Sequence, residues 1–230
     1  MIALILILPL VISLILYGVK SQRINHILNL GYATFFLGAA GRLMVCPGGF
    51  TDYFQVDPLN RIFLGILALL YWCVSLYNGY FFKKSPVSDL RHTQFHIFML
   101  VFIFSLAGAT LSTHLALYWV FLEATTLSSA YLIYFERTSS SLEAAWKYMF
   151  ICSIGIALAF VGIILLSIGH ASGHSLFFKD LYHQAAEMDI FWLKLSFTFI
   201  LIGLGTKMGL APVHAWLPDA HSESPSPVSA

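Results

Sequence analysis

Lys207 lies inside the last hydrophobic run of the chain, Ile200-Leu201-Ile202-Gly203-Leu204-Gly205-Thr206-Lys207-Met208-Gly209-Leu210-Ala211-Pro212. Placing a lysine at the centre of a membrane helix costs roughly 2.5–3.5 kcal/mol, so an intramembrane charge is first read as a functional group. Gly203, Gly205, Gly209 and Pro212 predict a broken helix, which hydrocarbon tolerates only where protein or water satisfies the freed backbone. Ion-coupled transporters build binding sites from such discontinuous helices. Glu123 is a second charge, of opposite sign, within the run from His114 to Tyr131. It stands about 12–14 Å along the helix from the start of that run, near the middle of a hydrocarbon core of roughly 30 Å. With an effective dielectric of ~20, two unit charges attract by about 4 kcal/mol at 4 Å and about 1.7 kcal/mol at 10 Å. A carboxylate that moves over this range decides whether the amine keeps its proton, which is a pump element in outline. Thr125, Thr126, Ser128 and Ser129 offer hydroxyls for cross-helix bonds or water. The same hydroxyls support a plainer reading, a glutamic acid held protonated among them.

Lys147, four residues after Glu143, enters the membrane near the start of the sixth apolar segment. It is a candidate proton relay, and equally a lysine that snorkels to the interface. His214 and His221 flank Trp216-Leu217-Pro218-Asp219. Histidine shuttles protons near neutral pH, and Trp and His also sit routinely at helix ends facing the interface. His92 and His96 are four apart, and His170, His174 and His183 fall in a connecting loop. Haem would need axial histidines on facing helices, and a metal would need further ligands with an oriented second shell; neither is expected, and no cofactor or metal is assigned to this chain. Cys46, Cys73 and Cys152 form no C-x-x-C pair and read as small apolar residues, so redox centres would belong to partners. No phosphate loop, dinucleotide fingerprint or Ser-His-Asp arrangement is visible.

The elements that must carry these residues are membrane helices. Hydrophobic residues make up 59% and charged residues 10% of the 230, with a mean hydropathy of +0.81, outside the range of soluble domains. Apolar runs of membrane-spanning length predict seven spans near 1–19, 25–46, 58–82, 93–111, 114–135, 143–168 and 190–217. The fold class is therefore all-α: a polytopic bundle of seven transmembrane helices, the seventh broken, with the start of an eighth. Met1 to Val19 lacks a basic start and a cleavage site, so it reads as an uncleaved span. Pro47, Gly48, Gly49 and Pro58 mark a turn-rich connection, and Asp57 suits a helix N-cap. Lys20, Arg23, Lys83, Lys84, Arg91, Arg137 and Lys147 gather on one side; Arg42, Arg61, Lys179 and Lys194 gather on the other. That bias predicts the first side as cytoplasmic and the N-terminus outside. The net charge of +1 argues against nucleic acid as a partner. Pro225 and Pro227 open a helix start, read as an eighth helix cut short.

The stretch Lys207-Met208-Gly209-Leu210-Ala211-Pro212-Val213-His214-Ala215-Trp216-Leu217-Pro218-Asp219-Ala220, continuing through Ser224 to Ala230, resembles the signature of antiporter-like membrane subunits. These occur in respiratory complex I, multisubunit cation/proton antiporters and membrane-bound hydrogenases. The wording around Gly205 to Pro212 and His221 to Pro225 looks most like component F of hydrogenase-4, formate-hydrogenlyase-type complexes. The resemblance implies roles for Glu123 on the fifth helix, Lys207 on the broken seventh and Lys147 in the Ala-Ala-x-Lys element of the sixth, here Ala144-Ala145-Trp146-Lys147. It implies a division into three N-terminal helices, residues 1–91, and a first antiporter-like repeat, residues 92–230, in a family whose members continue through a second repeat. The implied function is proton translocation in a hydrogenase- or complex-I-like redox assembly of the cell inner membrane. Its partners would be other membrane subunits, peripheral redox subunits, the lipid bilayer and protons. Alternatives are a multisubunit cation/proton antiporter, with Na+ as an option, or a non-conducting scaffold.

Overall fold

The computed structural model describes residues 1–19, 21–46, 51–84, 87–169 and 175–230. The turn formers Pro47, Gly48 and Gly49, the basic residue Lys20, and the loop histidines His170 and His174 lie outside them. Seven long helices follow the predicted spans: α1 (Ile2–Gly18), α2 (Gln22–Val45), α3 (Pro58–Lys84), α4 (Asp89–Leu111), α5 (Leu115–Ile133), α6 (Ser139–Ile168) and α8 (Ile190–Met208). Shorter helices are α7 (Phe178–Gln184), α9 (Trp216–Glu223) and α10 (Ser226–Ser229). Five of them, α3, α4, α5 with its terminal turn, α6 and α8, are long and apolar enough to cross a membrane. α1 is a shorter apolar helix of 17 residues, and α2 opens with Gln22, Arg23, Asn25, His26 and Asn29. The chain is an all-α, multi-pass membrane bundle.

Several boundaries shift from the hydropathy reading by two to four residues, and two of the differences from it have a clear local reason. α6 begins at Ser139 rather than 143 because Thr138 and Ser141 form a reciprocal capping box, each side chain meeting the other's backbone N–H at 3.0 Å. The predicted span 190–217 is one helix only to Met208; it stops at Gly209 and resumes as α9 at Trp216. The Asp57 carbonyl accepts the Arg61 N–H at 3.1 Å, as an N-cap residue's does.

The largest buried cluster joins α1 through α5, with Phe36, Leu64, Phe95, Leu100 and Leu132 fully enclosed. A smaller one joins α5, α6 and α9 around Cys152 and Trp216. Cys46 and Cys73 are exposed, and all three cysteines are free. α8 lies against α6, the most extensive helix pair of the bundle. Small residues let the backbones approach, as is usual between membrane helices. A Cβ on Gly203 would come within 2.5 Å of both the Ala159 nitrogen and the Gly155 oxygen, and one on Gly162 within 2.9 Å of the Ile200 nitrogen. This contact sets how far Thr206 and Lys207 stand from α6.

Gly203→Ala should therefore push α8 from α6 and lower the thermal midpoint in detergent, by an amount matching about 1–3 kcal/mol of overpacking. Gly38→Ala, where an added Cβ meets nothing within 4 Å, should leave the midpoint within error.

Candidate functional site

Lys207 occupies the last turn of α8. Gly209 takes φ +75°, in the left-handed region that glycine tolerates. The Gly209 N–H bonds the Thr206 carbonyl at 3.2 Å and the Leu210 N–H bonds the Gly205 carbonyl at 2.9 Å. This is a Schellman ending. The Trp216 indole reaches back from α9 and donates to the Thr206 carbonyl at 3.0 Å, so the break in the helix leaves that group satisfied. A cation in the last turn is favoured by the helix dipole.

From there the Lys207 ammonium donates to Thr126 Oγ1 on α5 at 2.7 Å and to Tyr148 Oη on α6 at 3.0 Å. It also lies 5.3 Å from the centre of the Tyr148 ring, close enough for a cation–π contribution. Both oxygens are poised as acceptors. Thr126 Oγ1 gives its own hydrogen to the Leu122 carbonyl at 3.2 Å. Ser129 Oγ donates to the Thr125 carbonyl at 2.6 Å, so the 2.7 Å contact between Tyr148 Oη and Ser129 Oγ uses the phenol's hydrogen. The resulting file runs in one direction: ammonium, phenol, serine, backbone carbonyl. Ser128 bonds back onto its own helix at Ala124 and Thr125.

Glu123 faces the same three-helix region without meeting the lysine. Its Oε1 accepts from Ser153 Oγ on α6 at 2.8 Å, while Oε2 is buried with no partner. Among the described residues no ion pair joins Glu123 to Lys207; the ion pairs are those of Lys147. Thr126, which holds the ammonium, is one turn beyond Glu123 on α5, about 4.5 Å along the axis. Thr126 is about 16 Å from the start of α5, and Tyr148 about 14 Å from the start of α6, at 1.5 Å per residue. The site therefore lies near the middle of a hydrocarbon core of roughly 30 Å.

Lys147 is elsewhere. It is exposed on α6, bonded at 2.8 Å to Glu143 of its own helix and at 2.8 Å to Asp219 of α9. Asp219, which the sequence offers only as the end of Trp216-Leu217-Pro218-Asp219, is thus the partner of Lys147. His221 is exposed, with Nδ1 2.8 Å from Ser229 Oγ, and borders a cavity of about 240 Å³ whose other walls include Lys207, Tyr148 and Ser129. His214 is exposed beside the cap at Gly209. The structure thus gathers Glu123, Lys207 and, through the cavity, His221, and leaves Lys147 on an ion-paired surface. Tyr148 and Ser153 were absent from the expected set; Tyr148, an ordinary aromatic one residue after Lys147, gave no sign of its role.

Residues 112–230 match the family described as NADH:quinone oxidoreductase/Mrp antiporter, TM. The chain belongs to this family. It is 34% identical to a Hydrogenase-4 component F homolog of Methylacidiphilum infernorum over 99% of its own length and 50% of that protein's. It is 27% identical to NADH-quinone oxidoreductase subunit N of Ectopseudomonas mendocina, over 99% and 48%. Its fold is shared with a chain in the structure of the membrane-bound sulfane sulfur reductase, an archaeal respiratory membrane complex, with a TM-score of 0.89 at 21% identity over 99% and 49%. The chain spans about half the length of the curated relatives it matches.

Trp216→Phe should lower the thermal midpoint, because it removes the indole donor from the Thr206 carbonyl at the end of α8. A loss of about 0.5–1.5 kcal/mol is expected for one neutral hydrogen bond, read as a shifted melting curve. An unchanged curve would mean that water replaces the indole at the break.

Proposed function

We propose that this chain serves as a proton-translocating membrane subunit, with Lys207 the group that takes up and releases the proton. The observation that carries the reading is the setting of Lys207 at the broken end of α8. It is held at mid-depth by the Thr126 and Tyr148 hydroxyls, and Thr126 stands one turn along α5 from Glu123, whose second oxygen has no partner. An ammonium placed on neutral hydroxyls can lose its proton along them. A carboxylate brought beside it would hold the proton in place, by the steep distance dependence of charge attraction at low dielectric. Moving one charge through the membrane field takes about 2.3 kcal/mol per 100 mV. That is comparable to the change produced by shifting a carboxylate several ångströms, so repositioning Glu123 is sufficient to drive the step.

Similarity over 99% of this chain to half of a Hydrogenase-4 component F homolog at 34% identity, against 27% for a subunit of NADH-quinone oxidoreductase, favours a hydrogenase-type redox assembly. Electron transfer in partner subunits would supply the energy. Lys147, tied to Glu143 and Asp219, would pass protons between the surface and the His221 side of the cavity.

In the complex reconstituted into liposomes, Lys207→Ala should reduce proton uptake to background while the subunits still co-purify. Tyr148→Phe and Thr126→Val should each slow uptake about tenfold or more, since a hydrogen bond to a charged group is worth about 1.5–3 kcal/mol. Undiminished uptake in Lys207→Ala would reject the assignment.

A further inference from the structure

Away from Lys207, three polar stripes meet inside the N-terminal half of the bundle. On α2 they are Asn25, Asn29 and Tyr32; on α3, Tyr71, Ser75 and Asn78; on α4, His92 and His96. The spacings of three and four place each set on one helix face, and all eight residues are buried. Direct bonds join some of them: Asn25 Nδ2 donates to Thr93 Oγ1 at 2.7 Å, and Ser75 Oγ to Asn29 Oδ1 at 3.1 Å. Many atoms are left over. Asn25 Oδ1, Asn29 Nδ2, both polar atoms of Asn78, His92 Nδ1, both nitrogens of His96 and Tyr71 Oη are buried without a partner. Buried polar atoms are almost always hydrogen-bonded to protein or ordered water, so eight in one place require an occupant.

The chemistry of the atoms selects it. A cation would need acceptors and an anion donors, but here an amide N–H₂ of Asn29, both ends of the Asn78 amide and the donor and acceptor of a neutral imidazole stand together. Only a small ligand that both gives and accepts hydrogen bonds serves them all. Water is such a ligand, and the three stripes would line it up in a narrow file. Its mouth lies at the helix ends that carry Lys83, Lys84 and Asp89. There Gln22 donates to Asp89 Oδ1 at 2.5 Å, and the half-buried His26 lies with its ring 6.3 Å from that of His96. A Cβ on Gly79 would stand 2.8 Å from His26 Nε2, so this glycine lets the ring lie against α3. Asn78 is about 9 Å and Tyr71 about 20 Å along α3 from Lys84. Beyond them the faces become apolar, with Leu64 and Ala68 on α3, Phe36 and Ala40 on α2, and Met99 and Ile103 on α4.

We propose that α2, α3 and α4 enclose a file of ordered water, entered beside His26 and leading past His96 and Asn78 to Tyr71. It forms a proton-conducting inlet whose inner end, Tyr71, borders the same cavity as Ser129 and His221, on the side of the bundle that holds Lys207. Protons would pass along the water and the His96 ring, with no net chemistry and no added cofactor.

X-ray radiolysis of the intact complex in lipid nanodiscs, followed by mass spectrometry, tests this without any turnover, since hydroxyl radicals form from bound water and oxidise the side chains beside it. His96 and Tyr71 should be oxidised at least tenfold faster than Phe36, which is equally enclosed but lined by carbon. Rates equal to that of Phe36 would overturn the proposal and mean that side-chain rotation pairs these atoms with one another. Mixing with H₂¹⁸O for milliseconds before exposure should place ¹⁸O in the His96 product; retention of ¹⁶O would overturn the open mouth. Asn78→Leu should cut Tyr71 labelling at least threefold without changing that of Phe36, and undiminished Tyr71 labelling would refute the path. The wild-type comparison decides the matter even if that variant does not fold.

Discussion

An ammonium group can stand inside a helix bundle only where something replaces its water, and the ending of α8 answers that need for Lys207. Its side chain starts from the last turn, where the helix dipole favours positive charge, and two hydroxyls from neighbouring helices take the place of solvent. Each hydroxyl has already committed its own hydrogen to a backbone carbonyl or a serine, leaving lone pairs for the amine. The glycine-lined approach of α8 to α6 then fixes the reach from backbone to Tyr148. Loosening that approach by an ångström would change both hydrogen bonds.

The two halves of the described bundle treat polarity differently. Around Lys207 the protein satisfies the polar groups itself, through Trp216, Thr126, Tyr148 and Ser153, and leaves one oxygen of Glu123 open. Between α2, α3 and α4 it assembles amides, imidazoles and a phenol and leaves most of their capacity unused. One region is organised around a charge, the other around neutral groups at one end of the membrane. A cavity of about 320 Å³, walled by Tyr71, Met99, Leu132, Ser129 and His221, lies between them.

Much of the architecture was legible in the residues. Long apolar runs gave the helices, and Gly209 gave the break, because a left-handed residue after a lysine-bearing turn has few alternatives to glycine. Glu123 and Lys207 were legible because charge within hydrocarbon is rare. What escaped was ordinary in type. Tyr148 and Ser153 look like any aromatic and any small residue of a membrane helix, and become partners only through the crossing of α5, α6 and α8. Asp219 was not among the expected site residues, since nothing local shows that α9 folds back onto Lys147. The beginning of α6 escaped because hydropathy weighs apolar content, whereas the helix starts where Thr138 and Ser141 cap each other. The stripe Asn25, Asn29, Tyr32 went unread, because its meaning requires the facing residues of α3 and α4.

The double tether on Thr206 carries a mechanical consequence. Its carbonyl is gripped by the Gly209 amide and by the Trp216 indole together, and its side chain is seated against Gly155. The peptide unit just before Lys207 is thereby clamped from two directions. α8 behaves as a fixed post and the lysine as a short arm on it, able to swing only through its own methylenes. Displacement at this centre then falls to the α5 side, where Glu123 hangs from one serine and has a hand free.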